Sequence, residues 1–152
     1  MKNFIVFSDI HGDRYSLNKL SKMAFDCDGA FFAGDGLSIL KDFPAKTFYA
    51  VKGNCDMTGE SEIIVEIDGV KILLTHGHFY GVKSGYLNLV MRAKEAGVSA
   101  VIFGHTHIAE VFTEEGILFI NPGSCSYYGA KKTYAVMFIH NQKPSAYINE
   151  IN

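Results

Sequence analysis

An α+β fold of mixed β-sheets with helices on the outside is the architecture this 152-residue sequence predicts. About ten short apolar runs rich in β-branched and aromatic residues are bounded by turn residues. Two segments carry apolar residues at helical spacing instead. Strand and helix alternate at the start while hairpin signals crowd the second half, which favours mixed sheets over a purely parallel sheet.

The elements follow in order. Phe4–Phe7 is the first strand, and a helix with Leu17, Leu20 and Ala24 on one face follows, with Asp13 as its N-cap. Strands are expected at Ala30–Ala33 and Thr47–Val51, separated by a short helix over Ser38–Phe43. Ile63–Ile67 and Val70–Leu74 flank Asp68-Gly69, a pair suited to a type I′ hairpin because both central positions need positive φ. Leu87, Val90, Met91 and Lys94 mark a second helix that stops at Gly97. The remaining strands are Ala100–Phe103, Glu110–Thr113, Ile117–Ile120, Tyr134–Ile139 and Ala146–Ile151, with looser hairpin connections at Glu114-Glu115-Gly116 and Asn141-Gln142-Lys143. No repeat, linker or low-complexity stretch divides the chain, so one domain over residues 1–152 is expected.

Composition narrows the function classes. Apolar residues make up 48% and charged residues 20%, which suits a globular domain that folds without disulfides or a structural metal. Fourteen basic residues stand against sixteen acidic ones, which argues against a dedicated nucleic-acid binder. The apolar run after Met1-Lys2-Asn3 is too short for a signal-peptide core, and no stretch reaches membrane-spanning length. Cys27, Cys55 and Cys125 form no C-x-x-C pair, so a reduced, cytoplasmic setting with no membrane partner is expected.

Five segments share one grammar: an apolar run ends in a glycine-containing loop that holds Asp, Asn or His. They end in Asp9-Ile10-His11, Gly34-Asp35, Gly53-Asn54-Cys55-Asp56, His76-Gly77-His78 and Gly104-His105-Thr106-His107. Loops at the carboxyl ends of strands are where distant parts of a crossover-connected chain meet a ligand. In Asp9-Ile10-His11 and His105-Thr106-His107 the i, i+2 spacing on an extended strand end turns both donors the same way. Five of the six histidines, all but His140, lie in these loops. Carboxylate, amide and imidazole donors without thiolate suit Mn, Fe, Ni, Co or Zn and do not resemble a closed structural zinc site. A carboxylate shared by two ions would create a centre that attracts phosphate and lowers the pKa of a bound water to about 7; Asp35 is the candidate bridge.

The ordered set D-x-H, G-D, G-N, H and G-H-x-H resembles the calcineurin-like metallophosphoesterases over residues 4–139, and Asn121-Pro122-Gly123-Ser124 is similar to their small bacterial and archaeal phosphodiesterase branch. That resemblance implies a four-layer αββα sandwich. It also implies two divalent metal ions, manganese foremost, one held by Asp9, His11, Asp35 and His107 and the other by Asp35, Asn54, His76 and His105. A bridging hydroxide would attack phosphorus in line. The expected substrate is a small phosphate ester, a diester in preference, nucleotide-like in kind, and small relatives suggest a homo-oligomer. Asn54, Asp56 and His78 are the expected catalytic contributors, Asp56 through hydrogen bonds more than as a ligand. Many relatives have histidine where Cys55 stands, so His78 is the substitute for protonating the leaving oxygen. Ser38 replaces a second Asp of the family pattern. Arg14 reads as an exposed helix-start cation, and Phe79-Tyr80 and Tyr127-Tyr128 as aromatic pairs for a rim or for the core. The competing reading is a scaffold of the same fold, like the small retromer subunit, or a module that binds metal or phosphate without turnover.

Overall fold

The computed structural model describes residues 1–126 and 131–152. Tyr127-Tyr128 lie outside the described residues. Among the described residues, ten strands form two five-stranded sheets. The first contains β1 (Lys2–Phe7), β2 (Gly29–Phe32), β3 (Phe48–Ala50), β9 (Thr133–His140) and β10 (Lys143–Glu150), in the order β10-β9-β1-β2-β3. The second contains β4 (Glu62–Ile67), β5 (Val70–Thr75), β6 (Ala100–Ile102), β7 (Glu110–Glu114) and β8 (Ile117–Asn121), in the order β4-β5-β6-β8-β7. In each, three adjacent strands run parallel: β1-β2-β3 at one side of the first sheet, next to the antiparallel β9 and β10, and β5-β6-β8 in the middle of the second, between the antiparallel β4 and β7.

Alternation along the strands builds the layers. Phe4 and Val6 of β1 point to the space between the sheets, where they meet Ile72 and Leu74 of β5 and Ile102 of β6. Their neighbours Ile5 and Phe7 point the other way and pack with Leu20 and Ala24 of α1 (Arg14–Ala24). On the far side, Leu73, Val101 and Phe119 pack with Leu89, Val90 and Ala93 of α2 (Leu87–Ala96). Period-two side-chain direction thus gives each sheet two apolar faces, and helix, sheet, sheet and helix stack as four layers. Asp13 caps α1 by accepting a hydrogen bond from Ser16 N at 3.0 Å. Gly97 ends α2 in the left-handed conformation.

Several local expectations change. Ser38–Phe43 is not a helix: only a 3₁₀ turn over Leu37–Ile39 forms, because Asp42 takes φ 62° and Pro44 disfavours helix before it. The hairpins at Glu115-Gly116 and Asn141-Gln142 are as tight as the one at Asp68-Gly69, each with two positive-φ residues joining paired strands. Strand β10 starts at Lys143 and includes Pro144, which a sheet edge tolerates because one side of the backbone needs no donor. Two 3₁₀ turns, His78–Tyr80 and Val82–Ser84, were not foreseen; apolar periodicity is silent on elements this short.

Candidate metal centre

All six parallel strands end on the same rim of the sandwich, and their trailing loops carry the polar residues. Asp9 and His11 follow β1, Asp35 follows β2, Asn54 and Asp56 follow β3, His76 and His78 follow β5, and His105 and His107 follow β6. The first sheet therefore contributes carboxylates, an amide and one imidazole, and the second contributes imidazoles.

The expected strand-end geometry is wrong in detail. β1 stops at Phe7 and β6 at Ile102, so neither D-x-H nor H-x-H lies on extended chain. Asp9, His11, Asp35, His105 and His107 all have positive φ, from 43° to 73°. Residues with a Cβ enter this region at a cost of roughly 1–2 kcal/mol each, and such strain persists only where surrounding contacts over-determine it.

Those contacts can be named. Asp9 Oδ2 accepts from Ser8 Oγ at 2.5 Å and from His105 N at 3.1 Å, while Asp9 N donates to Gly34 O at 2.8 Å. Ser124 Oγ donates to Asp9 O at 2.9 Å, and buried Asn121 donates to Gly104 O and Thr106 Oγ1 at 3.2 and 2.9 Å. The loop after β8 thereby ties the β1 loop to the β6 loop. Asp56 does the same on the other side. Its Oδ2 accepts from Asp35 N and Gly53 N and its Oδ1 from Gly36 N and Leu37 N, all at 2.9–3.1 Å. The carboxylate of Asp56 is directed at backbone donors, which fix the turn that presents Asp35. Gly53 sits so close beneath Asp35 that any Cβ there would overlap the Asp35 carboxylate. Ser8, Ser124 and Asn121 act through contacts up to 115 positions apart, and only Asn121-Pro122-Gly123-Ser124 had a signal in the sequence.

Seven side chains converge. Asp9 Oδ1 lies 3.2 Å from His107 Nε2 and 3.8 Å from both His11 Nε2 and His76 Nε2. Asp35 Oδ2 lies 3.3 Å from His76 Nε2 and 3.9 Å from His11 Nε2, between the two halves of the cluster. His76 donates its Nδ1–H to Ala33 O at 2.7 Å, which turns Nε2 toward Asn54 Oδ1 at 3.0 Å and His105 Nδ1 at 3.2 Å. Asp9-His11-His107, Asp35-His76-His105 and His11-Asp35-Cys55 each form a group whose donor atoms lie within 4.8 Å of one another.

The electrostatics suit cations. Burial would raise the Asp9 carboxyl, yet the imidazoles of His107 and His11, with Ser8, hold it well below the usual range. Burial likewise opposes ionisation of Asp35, and His76 and the Cys55 N–H outweigh it. His76 is raised because Asp35 and Asp9 overcome its burial, whereas burial and the His76 charge push His105 down to about 4. Asp9 Oδ1 is buried and receives no aligned hydrogen bond from the described residues. A buried, ionised oxygen facing three imidazole nitrogens satisfies itself best through a shared divalent cation, so the donor set fits metal.

The neighbours differ in kind. His78 is half-buried, its ring 5.4 Å from that of His76 and 5.9 Å from that of His105, and burial with the His76 charge lowers its pKa. Cys55 is exposed, and burial of its thiol and the Asp35 charge raise its pKa, so it remains a thiol. Cys125 is fully buried with its thiol on Ser8 O at 3.3 Å, and Cys27 is a core residue. Arg14 is exposed at the start of α1.

Comparison with known proteins bears on the family and the fold. The model of the calcineurin-like phosphoesterase superfamily domain matches residues 1–142. A probable metallophosphoesterase of Bacillus subtilis, YsnB, is 35% identical over 144 residues, covering 91% of this chain and 85% of that protein. A structure described as a novel archaeal phosphodiesterase superposes with a TM-score of 0.80 at 25% identity, over 97% of this chain and 99% of the other. Zinc-complexed Vps29 from Entamoeba histolytica shares the fold, with a TM-score of 0.75 at 21% identity over 99% of both chains.

Proposed function

The chain belongs to the calcineurin-like phosphoesterase superfamily, and from that premise we propose that it is a phosphodiesterase working with two divalent metal ions, manganese foremost. Membership supports a metal-dependent hydrolase of phosphoric esters. The observation that carries the finer reading is that Asp35, a member of the donor group with His76 and His105, also groups with His11 of the other set, its Oδ2 lying 3.3 Å from His76 Nε2 and 3.9 Å from His11 Nε2. In this reading Asp9, His11, Asp35 and His107 hold one ion, and Asp35, Asn54, His76 and His105 hold the other. A pair of bound divalent cations supplies Lewis-acid polarisation of the phosphoryl oxygens and a water acidic enough to attack at neutral pH.

The protein's own groups do the rest. Asp56 and Gly53 keep Asp35 in place, the Ala33 carbonyl keeps His76 in one tautomer, and Ser8, Asn121 and Ser124 hold the β1 and β6 loops together. His78 is the imidazole flanking the cluster that can hydrogen-bond a departing oxygen. Its lowered pKa leaves little acid form at neutral pH, which favours leaving groups that need little protonation.

The reading predicts metal-dependent hydrolysis of an activated aryl phosphodiester, abolished in His76→Ala. Calorimetry of the chelated protein should count two manganese ions per chain. No turnover with metal bound would identify a scaffold or a binding module instead, the role that likeness to Vps29 favours; the intact donor set favours catalysis. The setting we propose is cytoplasmic. Among the described residues no helix is long and apolar enough to cross a membrane.

A further inference from the structure

One side of the metal centre ends in an aromatic ring that the core does not use. Phe79 is 69% exposed, although a large apolar side chain gains by burial. It stands on the 3₁₀ turn His78–Tyr80, and its ring lies against that of His78, with centroids 4.1 Å apart and planes tilted by 35°. His78 in turn borders His76 and His105. The rings therefore form a path from the candidate ligands outward to solvent.

The turn is anchored. Tyr80 donates its hydroxyl proton to Glu62, whose other oxygen accepts from Arg92 Nε and Nη2 at 3.0 and 2.6 Å. That charged network joins the turn to the first residue of β4 and to α2, so Phe79 is held out on a fixed support. A rigid, exposed aromatic face costs little further ordering when a flat partner stacks on it.

We propose that Phe79, backed by His78, is a stacking shelf for the base of a nucleotide phosphodiester whose phosphate sits at the metal centre. This deepens the phosphodiesterase reading and rests on it. Two ring-to-ring steps, 5.4 Å and then 4.1 Å, separate His76 from Phe79, a reach comparable to that from a nucleotide's phosphate to its base. The other end of the path is a cluster suited to cations, which draws a phosphate and sets the direction in which the substrate lies. Stacking asks for a π face and not for a particular base, so the shelf selects nucleosides as a class.

The test compares two diesters with the same leaving group, thymidine 5′-(p-nitrophenyl phosphate) and methyl p-nitrophenyl phosphate, on the manganese-loaded protein. The expected wild-type preference is for the nucleoside ester. Phe79→Ala should lower that preference by about tenfold, the scale of one base–aromatic contact, through KM with kcat retained. Phe79→Trp should keep it. Calorimetric titration with adenosine 5′-monophosphate and with methyl phosphate gives a second readout, in which Phe79→Ala weakens only the nucleotide. An unchanged ester preference in Phe79→Ala, or equal weakening of both phosphates, would overturn the shelf. Failure of the loaded protein to hydrolyse either ester would overturn the phosphodiesterase reading, and the binding comparison would still decide the role of Phe79.

Discussion

Apart from Asp42, the described residues other than glycine that take positive φ fall in two sets of loops, and they do so for different reasons. At the hairpins, Asp68, Glu115, Asn141 and Gln142 adopt it because a two-residue turn between twisted strands requires it. At the rim, Asp9, Asp35, His11, His105 and His107 adopt it with no hairpin to close. There the conformation aims metal-ligand atoms at a common point, and hydrogen bonds donated by Ser8, Asn121 and Ser124 and accepted by Asp56 hold it. The same backbone region thus serves chain reversal in one place and preorganisation in the other, and substitutions should separate them.

The largest effect is expected at the shared carboxylate. Asp35→Asn keeps the shape of the turn and removes its charge, so phosphodiester hydrolysis should fall by about 10³ or more. The melting temperature of the chelated protein should change little by comparison. Unaltered turnover would show that the strained rim is not a metal centre.

Support of the turn comes next. Asp56→Asn sets an amide NH₂ against backbone N–H donors, and Gly53→Ala drives a methyl into Asp35. Each should cost about 1–3 kcal/mol in chemical denaturation and weaken manganese binding measured by calorimetry. Loss of stability with full metal affinity would leave Asp56 a role in the fold alone.

Proton competition is smaller and depends on pH. His76 and His11 have pKa values raised above 6.5, so near neutrality each retains proton occupancy that a metal must displace. Apparent manganese affinity should therefore rise with pH, by up to about tenfold per unit for each proton displaced, and level off above those pKa values. His105, depressed to about 4, is already neutral and contributes none. Calorimetry in buffers of different ionisation enthalpy measures the protons released; none at pH 6.5 would contradict the assignment of His76.

The smallest effect belongs to the hairpins. Glu115→Gly relieves a left-handed glutamate and should stabilise the fold by up to about 1 kcal/mol, with hydrolysis unchanged.

Much of this is legible in the sequence. The apolar run Phe4–Phe7 announced a strand, whose burial on both faces the structure adds, and Asp68-Gly69 announced its hairpin. The donors of the rim were visible because each follows an apolar run directly. The tightness of Asn141-Gln142 was hidden, since Asn141 suits a turn but Gln142 stands where a tight hairpin usually has glycine, and pairing of β9 with β10 imposes the conformation. Asp13 could be read as a cap from its place before a helix, but nothing near Asp56 announces four backbone partners, three of them about twenty residues away.

By itself, the chain's order of residues determined the strands, the helix stops and the identity of the donor atoms, because periodicity, capping and ligand chemistry act over a few neighbouring positions. Tertiary structure alone decided the left-handed turns at Asp9, Asp35 and His105, the link from His76 to Ala33 and the outward placement of Phe79. Those depend on two sheets meeting along one rim, where groups dozens of residues apart supply the hydrogen bonds that offset the local strain.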